Sequence, residues 1–274
     1  MLNKLLQHPL TRGMDLDDPK TTALRKTIIK EKAFLKQIYE EWYCISSQYL
    51  PSKNGFSLEI GTGAGFLNNY VSNLITSDIL PVQGIDIVFD AHHLPFRENS
   101  FQTIFLFNVL HHIRDPEVFF QEVEHSLLKN GKLIMIEPWV SPWSKIIYNK
   151  LHHEPFNTDI QTWDLPESGP LSGGNDALPW IIFHRDRKLF EQKVSLKIDS
   201  IQEIMPFRYL LSGGISTRNL MPGWMFRPLT HLEGLISKKS LKKLAMFALI
   251  VLKKNDKINN CTKIESFLHS VHKS

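Results

Sequence analysis

A chain of 274 residues, 42% of them hydrophobic, is long enough to bury a sizeable core, and it reads as one large α/β domain with insertions more readily than as two small domains. The net charge of +4 is modest, and the basic excess gathers late, between Lys238 and Lys257, without the interleaved aromatics or binding motif of a nucleic-acid surface. No apolar run reaches bilayer length, the N-terminus lacks a signal-peptide pattern, and Cys44 and Cys261 show neither zinc nor redox spacing, so a soluble cytoplasmic protein is expected.

In chain order, the residues up to about Arg12 read as an irregular arm. Asp18 followed by Pro19 offers helix-start chemistry. Apolar residues at helical spacing then run from Ala23 to Tyr49, and Pro51 to Gly55 form a linker. Helices placed here either lie over a ligand as a lid or pack against the sheet edge.

The stretch Ser57 to Phe66 reads as a buried strand breaking into a glycine loop and then a helix. Gly61, Gly63 and Gly65 permit close approach of the backbone to a bound molecule, with the acid Glu59 just before them. A short helix over 66–74 and a second strand over 75–79 bring Asp78 to the distance at which α/β nucleotide sites place a carboxylate on a ribose hydroxyl pair. An ionised carboxylate has two acceptor oxygens for those two donors. Asp86 is the rival for this role, and Asp78 is preferred because 85–89 then becomes a third strand ending at Asp90-Ala91.

The segment Asp90-Ala91-His92-His93-Leu94-Pro95-Phe96 precedes a turn and an almost wholly apolar strand, 102–109, of the kind buried on both faces of a parallel sheet. Asn108-Val109-Leu110-His111-His112-Ile113 ends it. A helix over 117–128 starts at Asp115-Pro116, Lys129-Asn130-Gly131 caps it, and a fifth strand over 132–136 ends at Glu137-Pro138. Such alternation implies right-handed crossovers and a parallel sheet.

On these motifs, Leu58 to Pro138 resembles the class I S-adenosylmethionine-dependent methyltransferases of the type 11, small-molecule group. The resemblance implies a doubly wound Rossmann-like sheet, mostly parallel with an antiparallel last strand. It also implies that Glu59 and the backbone of Gly61, Gly63 and Gly65 hold the methionine portion of the cofactor, Asp78 the ribose and Asp90 with Ala91 the adenine, with Thr62 and Phe66 among the cofactor-binding residues. Asn108 and Val109 would lie near the reacting sulfonium. A cofactor without phosphate needs no third dinucleotide glycine, and Phe66 stands where that glycine would be, which argues against NAD.

His111 and His112 follow the strand that ends beside the methyl group and are the expected catalytic pair, able to deprotonate a hydroxyl near neutral pH; capping of the strand is the alternative. No metal is expected, because His152-His153-Glu154 lacks ligand spacing. His184-Arg185-Asp186 is set aside, since no kinase motifs accompany it.

Beyond Pro138, aromatic-rich segments at 139–195 and 206–243 read as substrate-cap insertions around a sixth strand (196–205) and before a last one (244–254), on a single domain of residues 1–274 with an N-terminal helical lid (1–54) and a cofactor core (55–138). Arg185, Arg208, Arg218 and Arg227 could meet an anionic acceptor. The expected function is methyl transfer to a small-molecule acceptor with an oxygen favoured, against a non-catalytic nucleoside-binding module or a nucleotide-dependent oxidoreductase.

Overall fold

The computed structural model describes residues 8–11, 15, 17–51, 55–151, 154–167 and 169–255. Most of the arm before Arg12, most of the linker after Pro51, and Cys261 lie outside the described residues.

Seven strands form one sheet in the order β3-β2-β1-β4-β5-β7-β6. They are β1 (Ser57–Ile60), β2 (Leu74–Asp78), β3 (Ile87–Val88), β4 (Phe101–Phe107), β5 (Leu127–Pro138), β6 (Lys197–Ile204) and β7 (Phe247–Lys253). Strands β1 to β5 pair in parallel, and β7 runs antiparallel between β5 and β6. Every residue of β4 is buried, because this strand lies inside the sheet with packed layers on both faces.

Two helices precede the sheet, α1 (Pro19–Glu31) and α2 (Ala33–Ser47). Asp18 caps α1 by accepting the Lys20 amide at 2.8 Å, with proline at the first helical position. The chain breaks at Lys32, whose buried ammonium donates to the carbonyls of Gly214 at 2.5 Å and Thr217 at 3.0 Å. On α2, Phe34, Leu35, Ile38, Tyr39, Trp42 and Tyr43 form one apolar stripe. That stripe covers a sheet face rather than the edge, with Trp42 5.1 Å from Phe247 and Tyr43 5.0 Å from Phe107 between ring centroids.

This placement corrects the expected helix after the glycine loop, which shrinks to a single 3-10 turn, Leu67–Asn69. The stretch is rich in Asn and Ser, which compete with helix hydrogen bonding, and the aromatic face of α2 already fills the space. A second correction concerns α3 (Pro116–Ser126), which stops before Leu127; Leu127 pairs with Phe101, and the turn at Lys129-Asn130-Gly131 loops out inside β5 instead of capping the helix.

The opposite sheet face packs against α3 and the run 178–193, which ends in α5 (Arg187–Lys193). Helical structure here begins at Leu178, earlier than Arg185. Between β5 and this run lies α4 (Pro142–Leu151), and α6 (Arg208–Ser212), α7 (Phe226–Gly234) and α8 (Lys238–Leu244) fill 206–243. Among the described residues, no helix is long and apolar enough to cross a membrane.

Candidate active site

At the C-terminal ends of β1, β2, β4 and β5 lies a cavity of about 850 Å³, in the range of small-molecule sites. Its wall includes Glu59, Gly61, Thr62, Gly63, Gly65, Asp78, Asp90, Ala91, Asn108, Val109, His111 and His112. Phe66 is the one expected contact not on this wall: its ring packs among Tyr39, Tyr43 and Tyr70 beneath the loop. From α1 and α2, Thr22, Arg25, Tyr39 and Tyr43 close one side.

The glycine loop is shaped by steric need. Gly61 has φ 70°, and a Cβ there would stand 2.5 Å from a Val109 methyl. Gly63, at φ 50°, turns its amide onto Asp78, donating to Oδ2 at 2.8 Å. Asp78 thereby ties the loop to β2, and Leu80 donates to its other oxygen at 2.9 Å.

The three carboxylates near the glycine loop, Glu59, Asp78 and Asp90, stand in different electrostatic states. Burial pushes Glu59 up to about 7, against a hydrogen bond from Thr62 and with repulsion from Asp78 adding to it. Burial also raises Asp78, opposed by the amides of Leu80 and Gly63. Burial pushes Asp90 upward too, but the amide and ring of His92 outweigh it and hold Asp90 below the usual range. His92 donates from Nδ1 to Asp90 at 2.5 Å and accepts the Asp115 amide on Nε2 at 3.0 Å, so both ring nitrogens are engaged. Asp86 lies off the cavity wall; it accepts the amide and hydroxyl of Thr76 at 2.8 and 2.7 Å, bonds that lower its pKa and pin the edge of β2.

Beyond the end of β4, a 3-10 turn at Leu110–His112 carries both histidines to the cavity, their ring centroids 4.1 Å apart. Glu137, fully buried at the end of β5, accepts the amides of Val109 and Leu110 at 2.8 and 2.9 Å and the His111 Nδ1 hydrogen at 2.8 Å. His111 Nε2 lies 3.5 Å from carboxylate oxygens of both Glu154 and Asp176. Burial disfavours its charge, but Glu137, Glu154 and Asp176 together raise its pKa well above the ordinary value. His112 behaves oppositely, lowered by burial and by its charged neighbour His111. It donates from Nδ1 to the Gly173 carbonyl at 2.7 Å, leaving Nε2 as a lone-pair acceptor 3.8 Å from Glu154.

The sequence reading gave Glu137, Glu154 and Asp176 no role at this site. Glu137 was visible only as a strand-end acid, and Glu154 only beside His152-His153, which lie outside the described residues. Trp139, Tyr148, Trp163 and Phe183 are buried. Arg208 binds Glu41 and Glu233, and Arg185 binds Asp186 and the Thr158 carbonyl, so both serve the scaffold.

The family model described as a methyltransferase domain matches residues 58–135, the segment that builds this wall from β1 through β5. Residues 58–135 are thus similar to a methyltransferase domain. No curated protein sequence matches it. Among solved structures, a chain from the complex between the Haloferax volcanii Trm112 methyltransferase activator and a methyltransferase shares the fold with a TM-score of 0.52 at 10% identity, covering 89% of this chain and 100% of that one. Geranyl diphosphate C-methyltransferase from Streptomyces coelicolor aligns at TM-score 0.49 and 13% identity over 91% of this chain and 90% of that one. A methyltransferase from Bacillus halodurans aligns at 0.45 and 14% over 78% and 98%. The first of these, with a TM-score above 0.5, shows a shared fold alone, within which acceptors and chemistry vary.

Proposed function

We propose that this protein is an S-adenosylmethionine-dependent methyltransferase that methylates a hydroxyl of a small-molecule acceptor. The observation that carries the reading is one cavity with the glycine loop, Glu59, Asp78 and Asp90 along one part of its wall and the His111, His112 and Glu154 cluster along another.

The wall fits the cofactor's chemistry. Gly61 and Gly63 hold left-handed backbone, and a Cβ on Gly65 would meet the Thr62 carbonyl at 2.8 Å, so the loop passes close to whatever it cradles. Glu59 faces a cationic methionine ammonium, Asp78 has remaining lone pairs for a hydroxyl pair, and Asp90, oriented by His92, meets an adenine amino group. S-adenosylmethionine supplies an already activated methyl group.

The chain's own residues then supply alignment and exclusion of water. Holding acceptor and donor in register supplies on the order of 7–11 kcal/mol toward an in-line displacement. Tyr39 and Tyr43 from α2 and Leu165 and Leu171 from the cap wall off the site, which fits a lid and cap assembled on one domain. His112 Nε2, free of its own hydrogen, accepts the acceptor's proton, and Glu137 fixes the turn that carries it.

The test is labelled-methyl transfer from S-adenosylmethionine into a hydroxyl-bearing metabolite extract. The reading predicts a labelled small molecule whose label resists mild base as an ether does; a folded, cofactor-bound chain that never labels any product would establish a binding module instead.

A further inference from the structure

Two imidazoles and a carboxylate from distant parts of the chain converge beside the cavity. The ligand atoms of His111, His112 and Glu154 all lie within 4.8 Å of one another. Glu154 Oε2 stands 3.5 Å from His111 Nε2 and 3.8 Å from His112 Nε2. A tetrahedral ion with bonds of about 2.0–2.1 Å separates its donors by roughly 3.4 Å, close to these spacings.

Both rings are already oriented for metal binding. Each imidazole is held through Nδ1, His111 on the Glu137 carboxylate at 2.8 Å and His112 on the Gly173 carbonyl at 2.7 Å, which fixes ring direction and turns Nε2 toward Glu154. That arrangement, a ligating histidine whose far nitrogen is bound to carboxylate or backbone carbonyl, is the usual support for a metal-bound imidazole. Gly174 lets the loop approach, since a Cβ there would stand 2.8 Å from His112 Nδ1.

We propose that His111 Nε2, His112 Nε2 and Glu154 bind a divalent transition-metal ion, with zinc the ion that this nitrogen and carboxylate set fits best, and with Asp176 as the neighbouring carboxylate. The spacing of His152-His153-Glu154 predicts no metal, and both histidines lie outside the described residues; among the described residues, Glu154 meets two nitrogens supplied by the turn after β4. Three protein donors leave a fourth position for an oxygen. A hydroxyl bound there loses its proton at lower pH than in water, a role that rests on the methyl-transfer reading and takes over the proton chemistry given to His112 in the metal-free protein. The ligand set itself does not depend on that reading.

The full-length chain, stripped with chelator, is titrated with cobalt(II) and followed by visible ligand-field absorption, then challenged with zinc. The proposal predicts one equivalent of cobalt, displaced by zinc, with affinity reduced at least tenfold in both Glu154→Gln and His112→Ala and unchanged when His152 and His153 are both replaced by alanine. Circular dichroism establishes that each variant is folded; should His112→Ala unfold, Glu154→Gln, in a partly exposed loop, decides alone. Absence of saturable cobalt binding, or binding that survives Glu154→Gln and is lost with His152 and His153, overturns the site. Calorimetry with S-adenosylhomocysteine on the same preparation keeps the two claims apart: cobalt binding without nucleoside binding retains the metal site and sinks the methyl-transfer reading, and the converse does the reverse.

Discussion

Glu59 shows how a single buried acid links stability to ligand binding. Its pKa rises from 4.5 to about 7 because the folded chain takes the carboxylate out of water. The folded state therefore binds this proton more tightly than the unfolded chain does. That contribution is fully present below about pH 4.5, is lost as pH rises through 7, and amounts to about 3 kcal/mol at about 1.4 kcal/mol per tenfold in proton affinity. Without ligand, Glu59→Gln should match the parent near pH 4 and exceed it at pH 8 by about that amount in urea unfolding. Affinity for S-adenosylhomocysteine should follow the opposite course, strengthening as pH rises through about 7 because the ammonium needs the ionised carboxylate, and Glu59→Gln should flatten the dependence. A parent affinity independent of pH between 6 and 8 would show that Glu59 does not face the ammonium. Asp78→Ala should weaken nucleoside binding by about 1.5–3 kcal/mol, the scale of a lost charged hydrogen bond, whereas Asp86→Ala, off the cavity wall, should leave it unchanged.

At the scale of elements, the second insertion meets α2 through aromatic contacts, the Gln37 to Gly223 hydrogen bond and one buried guanidinium. Arg208 is 4% exposed, forms a two-pronged pair with Glu41 at 2.5 and 2.7 Å, and donates from Nε to Glu233 at 2.5 Å. Removing it leaves Glu233 buried without its charge partner, so Arg208→Met should cost about 3–5 kcal/mol by urea unfolding. A loss under 1 kcal/mol would mean that water already screens the cluster. Gly174→Ala tests the other cap: its Cβ would press on His112 Nδ1 at 2.8 Å and on the His111 carbonyl at 3.2 Å. It should lower methyl transfer by roughly a hundredfold, the scale of a displacement of about 1 Å, while nucleoside binding holds. The strands were the legible elements, because β4, β5 and β7 carry short apolar runs of the kind a buried sheet needs, and β1 breaks directly into the glycine loop. The helix after the glycine loop was not, since what suppresses it is the aromatic face of α2, which packs there only in three dimensions. The same packing turns Phe66 away from the cavity.

Across the whole molecule, what the sequence displayed and what it hid divide by separation along the chain. The acids of the cofactor wall fall within residues 59–90, each at a strand end, and local pattern places them. The acceptor wall assembles Glu137, Glu154 and Asp176 around a turn at Leu110–His112, and no spacing rule joins groups brought together by loop packing across the sheet end. On the proposed reading, the chain presents a wall for a cationic nucleoside beside a second wall of histidine and carboxylate. The most direct measurement is calorimetric titration of the folded full-length chain at pH 8 with S-adenosylhomocysteine and, separately, with NADH. The account predicts one-to-one binding of the first, weakened at least tenfold by Asp78→Ala, and none of the second; NADH binding with no response to S-adenosylhomocysteine would contradict it.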